Sequence, residues 1–439
     1  MAMGKNIVLA SGLRTPFGQI NKALAKYSSV EMAALVMKTL MEKSGLPKEK
    51  VDGVILGEVS QTSKAPNSAR VAALKAGLPI GCVAHTVQNN CISGIQAITD
   101  AARKIICGEG EVFIAAGVES MSNMLVYVKN ARQKYGGNLK AIKNAIADAE
   151  FVDCIVEGLT DPISGMNMAE SAEMTAQNLE ISRDSQDAYA LGSFQKSYRA
   201  EQEGFYDDVL IPLPELVRDE SPYLRETLAA DSEKSRKLMK KSPLIIRAMG
   251  MSVEDFWKKN NAYMPRDYDP VFEGTVTLFN SCPQSDGAAA VIVASEEAAK
   301  RLGLAIHMYL RGWGFAGLHP AYMGITPAQA VPKALTHADL SFDNVDFFEI
   351  HEPFAATVLG IFQSGYQNFE MDWKKKYDEG RVNRNGGSLS LGHPLGATGI
   401  RLALNAMSEF KKDANSSLAV AAACAGGGIG GAMVFERYR

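Results

Sequence analysis

One arrangement occurs twice in this 439-residue chain, and it limits the fold more than any other feature. In the first half, the apolar strand candidate Val54–Leu56 leads, after a crossover, to a turn at Asn89-Asn90. A helical pattern from Cys91 to Ile106 follows, and then a second apolar strand, Val112–Ala116. In the second half, the strand candidate Phe347–Ile350 leads to a Gly-rich turn at Leu391-Gly392-His393. That turn opens a helical pattern through Phe410, and the strand Leu418–Ala423 closes the unit. Strand–crossover–helix–strand units need right-handed connections and favour buried, mainly parallel strands. The expectation is an α/β fold of two pseudo-symmetric βαβ-type halves with reactive residues at matching turns. A chance likeness between two βαβ units is the competing reading.

Residues 123 to 268 read differently, being rich in Lys, Asp, Glu, Met and Ala. Helical patterns fall at Lys129–Ala149, Met168–Leu179 and Asp184–Glu203, and Ser182 is placed to cap the last of them. This predicts an inserted helical loop domain. The halves around it are residues 1–122 with 269–298, and residues 299–439. Basic residues at 129, 132, 134, 140 and 143 suit a solvated helix face, or else contact with a partner or a membrane surface.

Composition narrows the function classes. The net charge of −3 gives no global attraction for nucleic acid or acidic lipid. No apolar run reaches the roughly 18–20 residues of a membrane span. The start, Met1 to Lys5, runs straight into the strand-like Asn6–Ala10, with no secretory or organellar presequence pattern, so a cytoplasmic protein is expected. The cysteines at 82, 91, 107, 154, 282 and 424 form no Cys-x-x-Cys pair, which argues against zinc and against a disulfide framework.

Four constellations carry chemistry. Cys91, in Asn89-Asn90-Cys91-Ile92-Ser93-Gly94, stands at a predicted helix N-terminus, where orphan N–H groups and the helix dipole should lower a thiol pKa. His393 lies between Gly392 and Pro394, and Pro394 suits a first helical position. An imidazole there can take a thiol proton and later offer an N–H to a carbonyl oxygen. Cys424 opens the run Cys424-Ala-Gly426-Gly-Gly-Ile-Gly-Gly after an apolar strand. A phosphate loop is disfavoured, because no Lys-Ser/Thr pair follows. A thiol beside free backbone donors suits proton transfer at carbon next to an oxyanion hole. His351, in His351-Glu352-Pro353-Phe354, follows a strand's C-terminal end, where α/β proteins build sites. Two thiols, two imidazoles and two Gly-rich loops fit a reaction with one acylated cysteine, one α-carbon acid/base and two oxyanion sites. No bound metal, flavin or nicotinamide is called for.

In this order, Cys91-Ile-Ser-Gly, Gly-His393-Pro-x-Gly-Ala-Thr-Gly and Cys424-x-Gly-Gly-Gly-x-Gly resemble the thiolase family, and the resemblance spans essentially the whole chain. Arg14-Thr15-Pro16-Phe17-Gly18, Glu119-Ser120-Met121-Ser122 and Gly274-Thr275-Val276-Thr277 agree with it. The resemblance implies the five-layered αβαβα thiolase fold and a ping-pong mechanism with coenzyme A as substrate. Cys91 is then the nucleophile, His393 activates it and helps hold the enolate oxygen, and Cys424 is the general acid/base. The N–H groups of Cys91 and Gly426 form the other oxyanion hole, with His351 supporting. The His351-Glu352 pair resembles the trifunctional-complex β-subunit branch, which implies a degradative 3-ketoacyl-CoA thiolase acting on medium or long acyl chains.

Two positions depart from the pattern: Pro353 replaces an Ala, and Cys282 a Ser or Thr near the pantetheine. Arg225 is the candidate contact for a CoA phosphate, with a solvated arginine as its alternative, and Phe354 is a candidate substrate contact. Homodimers or homotetramers are expected, with a hydratase/dehydrogenase partner subunit as a further expectation. The alternatives are a biosynthetic acetoacetyl-CoA thiolase, a ketoacyl synthase-like condensing enzyme and a non-catalytic acyl-CoA-binding subunit. Cys424 speaks against the synthase, since an enolate formed by decarboxylation needs no α-carbon base.

Overall fold

The computed structural model describes residues 6–220, 232–264 and 273–439. Its strands are β1 (Ile7–Arg14), β2 (Gly18–Gln19), β3 (Gly53–Gly57), β4 (Val83–Val87), β5 (Val112–Ser120), β6 (Val126–Val128), β7 (Phe151–Asp153), β8 (Ser285–Ser295), β9 (Met308–Gly317), β10 (Phe347–Ile350), β11 (Leu418–Ala425) and β12 (Ile429–Arg437). The main sheet runs β10-β11-β12-β9-β1-β8-β5-β3-β4, with β2 attached to β8. Its two halves join at a short seam, Val8 opposite Tyr309 and Leu9 opposite Met308.

Both repeated units are present. In the first, β3 pairs in parallel with β5 and β4, and the helix Ser93–Ile106 precedes β5. In the second, β10 pairs in parallel with β11, after the helix Thr398–Lys412. The expectation of mainly parallel strands is corrected: β8, β9 and β12 join β1, β5 and β11 through antiparallel ladders. These added strands follow hairpins or long excursions rather than crossover helices, and an antiparallel neighbour needs no crossover.

The two helices of the repeats form a central layer. Each packs on strands of both half-sheets, and one apolar cluster joins Ile95, Ile98 and Leu404 to β5, β8, β11 and β12. A second cluster buries Ser29–Ser44 and Ser68–Lys75 on the outer face of the first half-sheet. A third buries Pro327–Ala338 and Ala355–Phe369 on the outer face of the second. Helix, sheet, helix, sheet, helix is the resulting order. The central helices touch at Gly94, where a Cβ would lie 2.7 Å from the Ile400 nitrogen. Ile95 and Ile98 are fully buried, each burial worth about 1.5–3 kcal/mol.

The 123–268 segment carries Met168–Asn178 and Arg183–Gln202, the latter capped by the Ser182 hydroxyl accepting from the Ser185 N–H at 3.2 Å. The single helix expected over 129–149 is not formed. Ala131–Tyr135 and Leu139–Asn144 are separated by Gly136 and Gly137, at φ 59° and 75°, a left-handed pair that ends one helix before the next begins. The basic residues there lie on the surface beside the small β6–β7 sheet. Among the described residues, no helix is long and apolar enough to cross a membrane.

Candidate active site

Cys91 sits between β4 and the first central helix, which begins at Ser93. Asn90 before it takes φ 47°, and its side-chain amide donates to the Gly426 carbonyl at 2.8 Å. The Ser93 hydroxyl closes the turn, accepting from the Asn89 N–H and donating to the Asn90 carbonyl. The loop holding Cys91 is thereby tied to the loop after β11, from sequence positions more than three hundred residues away.

Cys424 lies at the end of β11, opposite Gly430 of β12, and is buried. His351 follows β10 directly and donates its backbone N–H to the Ala422 carbonyl at 2.9 Å. His393 is held by its N–H on the Ser285 hydroxyl at 3.2 Å. Pro394 is not a first helical residue, as expected from the sequence; the helix starts at Thr398. The Pro394 carbonyl instead accepts the N–H groups of Ala397 and Thr398 and the Thr398 hydroxyl, which fixes the intervening turn.

These elements bring the thiol of Cys91 and one ring nitrogen each of His351 and His393 within 4.8 Å of one another. The two imidazole centroids are 4.1 Å apart. Thr398 Oγ1 lies 2.6 Å from Nδ1 of His393 and donates its proton to the Pro394 carbonyl at 3.1 Å. In that arrangement it accepts the Nδ1 proton, which leaves Nε2 of His393 as a lone pair with no protein partner among the described residues.

A cavity of about 800 Å³ opens onto Cys91, His393, Cys424, Gly426, Cys282 and Phe354. Its walls are chiefly apolar, among them Met121, Met168, Phe194, Ile245, Leu278 and Met323. Pro353 also lines it, and its carbonyl accepts the Cys282 N–H at 2.8 Å. Arg225 lies outside the described residues.

Electrostatics correct one expectation. Burial pushes the Cys91 thiol up to about 12, although the Gly426 N–H and its own N–H pull it back in part. The helix begins two residues later, so dipole and donors do not offset the loss of water around a thiolate. Burial likewise pushes His393 down to about 3, reinforced by the Arg401 charge. His351 is held well below the usual histidine value by burial, then by His393 and Arg401. Burial raises Cys424 and Cys282, and a charge on Cys91 would raise them further. The resting site is thus a neutral thiol beside neutral imidazoles.

The thiolase N-terminal domain model matches residues 7–242, and the thiolase C-terminal domain model residues 304–437. The chain belongs to the thiolase family. Such enzymes are acyltransferases acting on acyl-CoA. An acetyl-CoA acetyltransferase of Cupriavidus necator is 33% identical over 436 residues, covering 98% of this chain and 99% of that one. A probable acetyl-CoA acyltransferase of Staphylococcus aureus is 32% identical over 434 residues, with 99% of both chains covered. The crystal structure of human mitochondrial 3-ketoacyl-CoA thiolase in complex with CoA superposes with a TM-score of 0.84 at 30% identity, covering 100% of both chains.

Several residues of this thiolase site escaped sequence reasoning. Ser388 and Thr398 stand in the Gly-rich run around His393 and bind the two imidazoles, and their hydroxyls close to a histidine were the available signal. Arg401 is a cation inside an apolar helical pattern, and it is fully buried. The Glu119 carboxylate accepts the N–H groups of Val59, Ser60 and Gly396, pinning the turn before Thr398 to the strand β5.

Proposed function

We propose that this thiolase works in the degradative direction, cleaving 3-ketoacyl-CoA with CoA to acetyl-CoA and a shortened acyl-CoA, as in fatty-acid β-oxidation. The apolar cavity over Cys91 carries this reading, since its lining offers room and apolar walls for an acyl chain beside the pantetheine arm. The resemblance of His351-Glu352 to the trifunctional β-subunit branch and the fold match to a 3-ketoacyl-CoA thiolase support it. The relatives named acetyl-CoA acetyltransferase favour the second reading, a biosynthetic acetoacetyl-CoA thiolase.

The mechanism is ping-pong. The Cys91 sulfur attacks the 3-keto carbon while its proton passes to Nε2 of His393. The N–H groups of Cys91 and Gly426 receive the tetrahedral oxyanion. The Cα–Cβ bond then breaks, and the electron pair becomes the enolate of acetyl-CoA. The enolate oxygen is held by the N–H of His393 with His351 in support, and the carbon takes its proton from Cys424. After acetyl-CoA leaves, the CoA thiol gives its proton to the Cys424 thiolate and attacks the acyl group on Cys91. Cys91 departs as thiolate and recovers a proton from His393. Cys282 and Phe354 face the same cavity and are placed to contact the pantetheine and acyl parts. Arg225 stays the candidate for a CoA phosphate.

A homodimer or homotetramer fits the outer edge of β4, unpaired among the described residues, where Val83 and the nearby Ile80 are 65% and 84% exposed. The exposed Val126, Leu139 and Phe151, beside the basic residues of 129–143, would suit a hydratase/dehydrogenase partner subunit. Six free cysteines fit the reducing cytoplasm. The test is CoA-dependent cleavage across 3-ketoacyl-CoA lengths from acetoacetyl to palmitoyl size. Activity that rises with chain length supports the degradative reading, and activity confined to acetoacetyl-CoA overturns it in favour of the biosynthetic one.

A further inference from the structure

We propose that Ser388 and Arg401 are positioning residues that lock the His351 proton onto Nε2, so that His351 offers a donor where His393 offers a lone pair. The inference rests on the reading of His351 as an oxyanion donor given above.

Arg401 is fully buried, and its Nη2 donates to the Ser388 hydroxyl at 3.1 Å. A guanidinium has no acceptor, so the direction of this bond is fixed. Nδ1 of His351 lies 2.9 Å from the same hydroxyl oxygen. Ser388 has a single proton, and among the described residues its one bonded acceptor is that Nδ1. With the proton on Nδ1, His351 would become a second donor to Ser388 and strand the hydroxyl proton in the interior, where unpaired polar groups are disfavoured. The serine therefore donates to Nδ1, and the ring proton resides on Nε2.

At His393 the logic runs the other way. Thr398, unlike Ser388, has a second acceptor in the Pro394 carbonyl, so its proton can go there and its oxygen can accept from Nδ1. The two rings, 4.1 Å apart, are consequently set in opposite tautomers by two hydroxyls on the same Gly-rich segment. Both Nε2 atoms are buried without a protein partner among the described residues, one a donor and the other an acceptor. Opposed lone pairs or opposed N–H groups would repel in so small a space, whereas this pairing leaves one nitrogen to take the Cys91 proton and one to receive an oxyanion. Arg401 contributes a second effect: its nearby charge adds to burial in disfavouring a cation on either ring.

Nitrogen-15 NMR of the full-length enzyme labelled at histidine reads the tautomers directly, with His351→Asn and His393→Asn assigning the signals. The expected spectrum has pyridine-like Nδ1 and pyrrole-like Nε2 for His351, and the reverse for His393. Ser388→Ala is expected to mix the His351 tautomers and lower kcat by about tenfold or more at unchanged KM, with Ser388→Thr restoring both. A pyrrole-like Nδ1 on His351 in the wild-type enzyme overturns the proposal, and so does a Ser388→Ala enzyme with wild-type kcat. Wild-type turnover, and its loss in Cys91→Ala, reports on the underlying reading separately. An active enzyme with the wrong tautomer defeats only the positioning role.

Discussion

His351 and His393 lie with ring centroids 4.1 Å apart and planes tilted by 45°, each tied through Nδ1 to a hydroxyl and each leaving Nε2 unpartnered among the described residues. Two imidazolium ions could not share this space, and burial with Arg401 keeps both rings neutral. The Cys91 thiol beside them is neutral as well, so the site holds no resting thiolate–imidazolium pair.

Alkylation of Cys91 tests that state. Iodoacetamide should react about tenfold faster per pH unit between about pH 6 and 9, without a plateau, because the thiolate fraction is still rising throughout. A plateau with an apparent pKa below about 8 would indicate the ion pair instead. Acyl-CoA should protect Cys91 from the reagent.

Stability in acid follows from the same rings. His393 has its folded pKa depressed to about 3 from the ordinary 6.5, so its contribution is fully present above 6.5. That contribution is lost as pH falls from 6.5 toward 3, and His351 acts in the same direction. The melting temperature should drop on acidification across this window, and less steeply in His393→Asn than in the wild-type enzyme. Equal slopes for the two proteins would show that burial of neutral His393 is not what acid undoes.

The sequence disclosed the site better than the sheet. Phe347–Ile350 was legible as a strand because four apolar-flanked residues lead into a His-Glu turn, and it forms β10 with the same bounds. Cys91, His393 and Cys424 stood out because each interrupts a small-residue turn beside a helix or strand, and the cavity collects all three. β9 and β12 escaped notice: Met308–Gly317 alternates Gly with aromatics, and Ile429–Arg437 hides behind a Gly run. Neither pattern reveals a partner strand, since antiparallel pairing is set by register between distant segments. The raised Cys91 pKa is hidden from the sequence for a related reason. A helix start is visible locally, while the burial that outweighs it is assembled from β5, the Gly-rich turn and the loop after β11.

Cys424→Ala should separate the half-reactions. Exchange of the α-protons of acetyl-CoA with deuterated water should fall by about 10² or more, because the acid/base is gone. Acyl transfer from acyl-CoA to Cys91 should fall much less, since the Cys91–His393 pair is intact and only the proton for the departing CoA thiolate is lost. Retained exchange in the variant would remove Cys424 from its proposed role.

Ala248 borders the cavity and is exposed at the end of the short helix Ile245–Ala248. Ala248→Trp should narrow the chamber without disturbing the core. Cleavage of long 3-ketoacyl-CoA substrates should fall by about tenfold relative to acetoacetyl-CoA, a loss of about 1.4 kcal/mol in selective transition-state binding. A uniform effect on all lengths would place the acyl tail elsewhere.

Trapping the acyl-enzyme tests the central claim most directly. A 3-ketoacyl-CoA substrate is added without free CoA, the protein is digested, and the peptides are weighed by mass spectrometry. One acyl group, shortened by two carbons, should be found on the Cys91 peptide, and it should disappear when CoA is supplied. Acylation of Cys282 or Cys424 in place of Cys91, or acetyl-CoA release with no acylated cysteine, would contradict Cys91 as the nucleophile of this thiolase.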